Sequence, residues 1–291
     1  MIFQECFRYY KSKFSIILTV TLTLIVLASY YSTYLQKKEW EQVCQSGASD
    51  VNLEKDAEII SGYTGTYYFE NFLFSSDFKV LAVIILLICF GTSIGPNMFN
   101  SLQSNYGTMV ATRMSYKNYL FNVVMAQVLY ISTFMFGYFL FIYVLSVFLL
   151  KGGIQISPNS IFSTISTLEY LSLTIISFIQ MLIYIIVLIM ITTVSPIILK
   201  NKYAIQILPF ILVVFTYFLA NVLGNISKDF AFLTSYIVLD NILSTVESSY
   251  NSTISLFASI LAGSIFIIAC IVICVLLYRA NVKKFGQDYI I

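Results

Sequence analysis

Long apolar runs without charge constrain this chain more than any other feature. "VLAVIILLICF" at 80–90 and "FIQMLIYIIVLIMITTV" at 178–194 contain no Asp, Glu, Lys or Arg. A bilayer's hydrocarbon core is about 30 Å thick and takes about 20 apolar residues of helix, because the backbone must satisfy its own hydrogen bonds there. Six stretches meet that length, at 14–36, 79–98, 119–150, 169–199, 203–223 and 254–278. A membrane barrel would alternate apolar and polar residues over segments of about ten. These runs do not alternate, so an all-α integral membrane protein with six transmembrane helices is expected. Composition agrees: 10% of residues are charged, against about 25% in soluble domains. The third and fourth stretches exceed a minimal span, so they either tilt or continue as interfacial helices.

Charge gives the orientation. Arg8, Lys11, Lys13, Arg113, Lys117, Lys200, Lys202, Arg279, Lys283 and Lys284 fall on the side of the termini. Lys37, Lys38, Lys55, Lys79, Lys151 and Lys228 fall on the other, with most of the acidic residues, among them Glu39, Glu41, Asp50, Glu54, Asp56 and Glu58. Lys and Arg accumulate on the cytoplasmic side of membrane proteins. Both termini are therefore expected in the cytoplasm and the loop 37–78 outside the cell membrane. The first apolar run lacks a small-residue cleavage site and is expected to stay as a helix. Residues 1–13, "MIFQECFRYYKSK", interleave aromatic and basic side chains and read as an interfacial helix or as a plain basic flank. The whole chain reads as one membrane domain, and its Ile, Lys, Asn and Tyr content suggests a bacterial source.

Missing chemistry narrows the function. Without a histidine, Ser–His–Asp and Cys–His nucleophiles and HExxH zinc sites are excluded. No carboxylate pair lies within the span interiors, which argues against an intramembrane aspartyl enzyme and against an ion-coupled carrier. "GTSIG" at 91–95 lacks the Lys-Ser/Thr of a phosphate-binding loop, so ATP is not expected to be hydrolysed by this chain. No bound cofactor, metal or nucleic-acid partner is expected. Cys270 and Cys274 share a helix face but have no further ligands to complete a metal site, so they read as small buried apolar residues. Gly91 and Gly95, and likewise Ala258 and Ala262, have the spacing that lets helices approach closely. Gln127, Gln180 and Asn221 are candidates for bonding across helices or for lining a pathway. The segment 228–253 is too interrupted to span and too aliphatic for a free loop, and reads as an outer hairpin or as a loop with one surface helix. In the outer loop, "GYTGTYYFENFLF" at 62–74 reads as a surface-lying aromatic segment, with Tyr67, Tyr68, Phe69 and Glu70 as ligand contacts.

Between the second and third stretches stands "YGTMVATRMSYKNYL" at 106–120, polar and basic in an oily chain. The order of short amphipathic helix, span, outer loop, span and then Y-G-T-M-x-x-x-R-x-S-Y-K-x-Y-L resembles permeases of the ABC type-2 exporter family across nearly the whole chain. The resemblance implies that 1–13 is an elbow helix, 103–117 a coupling helix seated on a separate ATPase subunit, and 228–253 a re-entrant outer hairpin. It assigns ATPase docking to Gln103, Tyr106, Gly107, Thr108, Arg113, Ser115 and Lys117. Many family members carry an acidic residue where this chain has Ser104 and Asn105, so the ATPase contact would differ in detail. The implied function is export of a peptide, bacteriocin or lipophilic drug, of the kind that confers antimicrobial resistance. ATP and Mg would bind the ATPase, and a second permease subunit would complete the assembly. A glycan-precursor exporter and a non-transporting immunity or sensor protein are the competing readings.

Overall fold

The computed structural model describes residues 2–45, 59–75, 77–103, 115–149, 166–226 and 256–288. Among these residues the chain is helical almost throughout and contains no strand. Helix α1, Ile2–Tyr10, ends where the amides of Lys11 and Ser12 bond back to the carbonyls of Phe7 and Tyr9, both at 3.1 Å. The Ser12 hydroxyl then accepts from the amide of Ser15 at 3.3 Å and starts helix α2, Lys13–Gln45. Cys6 and Tyr9 of α1 are buried, while Phe3 and Phe7 are exposed.

Helix α2 runs past the expected span end at residue 36. The added stretch "KKEWEQVCQ" is rich in good helix formers, so the loop after α2 begins some two turns later than the sequence predicts. Four more long helices follow: α4, Asp77–Gln103; α5, Tyr116–Leu149; α6, Thr167–Val194; and α7, Lys202–Ile226. With α2 they make five helices long and apolar enough to cross a membrane among the described residues. The sixth expected span falls in helix α8, Leu256–Asp288, which is not one of those five. Between α2 and α4 lies a short helix α3, Gly65–Glu70, continued without a break by a π turn, Asn71–Ser75.

The long helices are apolar on their outer faces as well as their inner ones. On α2, Ile16, Val20, Leu24 and Leu27 point outward beside the buried Leu18, Leu22 and Ile25. Phe136, Leu140 and Phe148 do the same on α5. A helix apolar all round belongs in the core of a large protein or in lipid, and exposed apolar belts of this extent suit a bilayer.

Two features fix the packing. Helices α4 and α7 cross at Gly91, where a Cβ would overlap the carbonyl oxygen of Gln206 and stand 3.1 Å from Cγ of Pro209. Pro209, inside α7, leaves the Ile205 carbonyl without its helical donor, and Gly95 faces that same carbonyl. The close-approach spacing of Gly91 and Gly95 thus serves packing within the chain. Elsewhere, Tyr130 of α5 gathers rings from two other elements around its own: Tyr9 and Tyr10 of α1 at 5.5 and 4.8 Å, and Phe90 of α4 at 5.8 Å.

Candidate functional site

Helices α2 and α5 run in the same direction and are joined by two Tyr–Ser hydrogen bonds. Ser15 meets the hydroxyl of Tyr130 near one end, and Tyr30 meets the hydroxyl of Ser146 near the other. The partners stand 115 and 116 residues apart in sequence, so the two helices keep a constant register over about 22 Å, at 1.5 Å per residue. A tyrosine is the longest neutral bridge available, so both bonds hold the helices at arm's length and leave space between them.

That space is an apolar cavity of about 70 Å³. Each wall is one face of a helix: Lys79, Ala82, Val83 and Leu86 of α4; Met135, Tyr138, Phe139 and Ile142 of α5; Thr174, Phe178 and Met181 of α6. Leu22 of α2 closes one side between the two Tyr–Ser bonds, and Phe72 and Leu73 of the π turn close the end away from α1. Lys79 is the one residue among those that line it whose side chain is charged at neutral pH.

The cover over the cavity is built from the segment expected to lie on the surface. Thr64 caps α3, its hydroxyl accepting from the amide of Tyr67 at 3.4 Å. A helix this short is unstable alone; burial of its side chains holds it in place. The Phe69 ring stacks edge-on against Phe139 and Tyr143 of α5, both at 5.2 Å, and Tyr68 against Tyr30 at 5.8 Å. The side-chain amide of Asn71 donates to the hydroxyl of Thr33 at 2.9 Å. Tyr68, Phe69 and Glu70 are therefore buried, and Tyr67 is half-buried. This corrects the surface-lying reading: clustered aromatics that could have rested on a membrane instead find a groove between α2 and α5. Glu70, 4% exposed, is a buried carboxylate beside the span ends. Burial first, and then the nearby Glu70, push the Tyr67 phenol above its ordinary range.

The polar span residues separate. Gln127 is fully buried, and its side-chain oxygen accepts from Thr193 of α6 at 2.7 Å, an interhelical bond. Gln180 is buried on α6, one residue from the cavity-lining Met181. Asn221 is exposed on α7. The buried stripe of that helix runs through Ile205, Val213 and Thr216, and five residues past Thr216 the helix has turned about 140° away from it. Asn221 thus faces outward rather than into a pathway through this chain. Cys274 packs among Val187, Ile191 and Val194 as a small apolar residue.

Of the residues assigned to ATPase docking, Tyr106, Gly107, Thr108 and Arg113 lie outside the described residues, as does the segment 228–253. Gln103 ends α4. Ser115 is exposed and its hydroxyl accepts from the amide of Asn118 at 3.4 Å, capping α5. Lys117 is exposed in the first turn of α5, and its backbone carbonyl accepts a bond from the Tyr278 hydroxyl of α8 at 3.3 Å. One turn further along α8, the side-chain amide of Asn281 donates to the Val194 carbonyl, where α6 gives way to the 3₁₀ turn Ser195–Ile197.

The cavity, its Tyr–Ser bridges and its cover were not foreseen. Their signal was present as single-face stripes, such as Met135, Tyr138, Phe139 and Ile142, but each stripe reads alone as ordinary core. No protein family, curated protein or solved structure matches the chain.

Proposed function

We propose that this chain is the membrane subunit of an ATP-driven exporter, with six spans, an elbow helix at residues 2–13, cytoplasmic termini and a separate ATPase subunit beneath it. Its cargo is amphipathic or hydrophobic: a peptide, a bacteriocin or a lipophilic drug. The observation that carries this reading is the junction at Lys117. The basic segment 103–117 feeds directly into the first turn of α5, and Tyr278 ties that turn to α8. A push on 103–117 from an ATPase would therefore reach two long helices at once. ATP would act by binding two arrangements of the assembly with different affinity, not by contact alone.

The test is purification from native membranes in mild detergent, with identification of co-purifying subunits and an assay of ATP hydrolysis. An ATPase subunit is expected in stoichiometric amount, and Arg113→Glu with Lys117→Glu should cut cargo-stimulated ATP turnover several-fold. A chain that purifies alone and hydrolyses nothing would refute the proposal. The buried cover at 64–75 favours one second reading, an immunity or sensor protein whose outer loop is displaced by a ligand. That reading predicts ligand binding through 37–78 with no ATPase at all. Transport assays with peptide and with glycan-precursor cargo separate the two exporter classes.

A further inference from the structure

We propose that α5 carries its first three turns out of the bilayer, and that the outward face of those turns, with Lys117, Phe121 and Met125, seats a soluble protein through an acidic surface. The inference goes beyond the exporter reading, because it holds for any soluble partner on the side of Lys13.

Length opens the argument. Helix α5 has 34 residues, about 51 Å at 1.5 Å per residue, against about 30 Å of hydrocarbon. To absorb the excess by tilt alone the helix would lean by more than about 50°, outside the range of about 0–40° in which spanning helices lie. Part of α5 therefore leaves the bilayer.

Register identifies the part. The two Tyr–Ser bonds set each α2 residue level with the α5 residue 115 or 116 places later. Lys13, at the polar edge of α2, is thus level with Val128. Gln127 bonds to Thr193, one residue before α6 ends at Val194. Phe90 packs on Tyr130 and Gly91 on Gln206, so Lys202, where α7 begins, lies about 6 Å past the level of Tyr130. Helices α2, α6 and α7 therefore all begin or end near the level of Gln127, while α5 runs on to Tyr116, about 16 Å further. The remainder of α5, 128–149, is about 33 Å long and matches the hydrocarbon.

The outward residues change character at the same level. Past Val128 the exposed positions, among them Phe136, Leu140, Phe141 and Phe148, include neither a charge nor an amide. Before it they are Lys117, Asn118, Phe121 and Met125. The other side of these turns has a small core of its own, in which Tyr116, Leu120 and Val124 pack with Tyr278 and Val282 of α8. The projection is thus braced on one side and open on the other.

On the open side Lys117, Phe121 and Met125 recur every four residues and share one face. Phe121 is 52% and Met125 39% exposed. Such exposure is ordinary in lipid, but in water adjacent apolar side chains rimmed by polar ones mark a protein contact. Lys200, Lys202, Arg279 and Lys283 are also exposed at this end. None of them has an ion-pair partner among the described residues. The complement of that surface is acidic.

The test puts an environment-sensitive fluorescent amino acid in place of Phe121, Met125 or Leu140 in the full chain. In lipid nanodiscs, aqueous iodide should quench the probe at 121 and 125 at least fivefold more than at 140, and lipids brominated on their chains should quench in the reverse order. Quenching by brominated lipid as strong at 121 as at 140 would overturn the projection. In inside-out vesicles from the native host, iodide quenching at 121 should fall at least threefold because the partner covers it, and Lys117→Glu with Lys202→Glu should restore it. Quenching as strong in these vesicles as in nanodiscs would overturn the docking surface, and shielding that survives the charge reversal would overturn the acidic partner. Charge-dependent shielding in membranes that yield no ATPase on purification would support this surface while refuting the exporter reading.

Discussion

At the scale of single residues, two glycines make opposite predictions. A side chain at Gly91 meets the backbone of α7, which cannot swing aside as a flexible side chain would. Gly91→Val should therefore cost about 1–3 kcal/mol, read as a fall in Tm of about 2–4 °C per kcal/mol in a thermal-shift assay in detergent. Gly137, on the same kind of apolar helix, has nothing within 4 Å of the position its Cβ would take. Gly137→Ala should leave Tm unchanged or raise it, since alanine favours a helix over glycine by up to about 1 kcal/mol. The spacing of Gly91 and Gly95 was legible in the sequence because close approach needs only small residues at the right period. Gln127 was legible for the same kind of reason, a polar amide among apolar neighbours that must find a partner. Asn221 looked similar and behaves otherwise, because the sequence does not state which side of α7 faces its neighbours.

At the scale of elements, helix existence was readable and helix ends were not. Hydropathy located every long helix among the described residues, yet α2 continues about two turns beyond its apolar part, since the good helix formers that follow carry the helix on past the apolar stretch. The cover at 64–75 was misread for a different reason. Its aromatics suit a membrane surface or a protein groove equally, and only the long-range arrangement of α2 and α5 decides. Its hold on the bundle can be loosened selectively. Phe69→Ala removes a ring stacked on Phe139 and Tyr143 and should cost about 3–5 kcal/mol at that contact. Hydrogen exchange in 64–75 should then quicken by at least tenfold while exchange in α4 and α6 stays slow. Uniform quickening across the long helices would show that the segment is a structural keystone and not a separable cover.

At the scale of the whole molecule, the count of basic residues predicts a definite sidedness that two cysteines can report. Cys44 lies in the last turn of α2 and is half-buried, whereas Cys6 is buried in α1, and burial pushes its thiol above the ordinary range. In right-side-out cells, a variant retaining only Cys44 should react with a membrane-impermeant maleimide, and one retaining only Cys6 should not. Labelling of Cys6 from outside would invert the topology. Stripes, caps and charges were visible residue by residue, but the cavity was not, because it comes from four stripes brought to one place by contacts distant in sequence. The two Tyr–Ser bonds between α2 and α5 carry one more consequence. Thr19 and Tyr34 stand four residues beyond Ser15 and Tyr30, within about 40° of the same helix face. If α5 slid along α2 by one turn, about 5.4 Å, Tyr130 would come level with Thr19 and Ser146 with Tyr34. The pair of helices is toothed like a rack, with a hydroxyl one turn along from each of the two α2 partners, both exposed where the helices now stand.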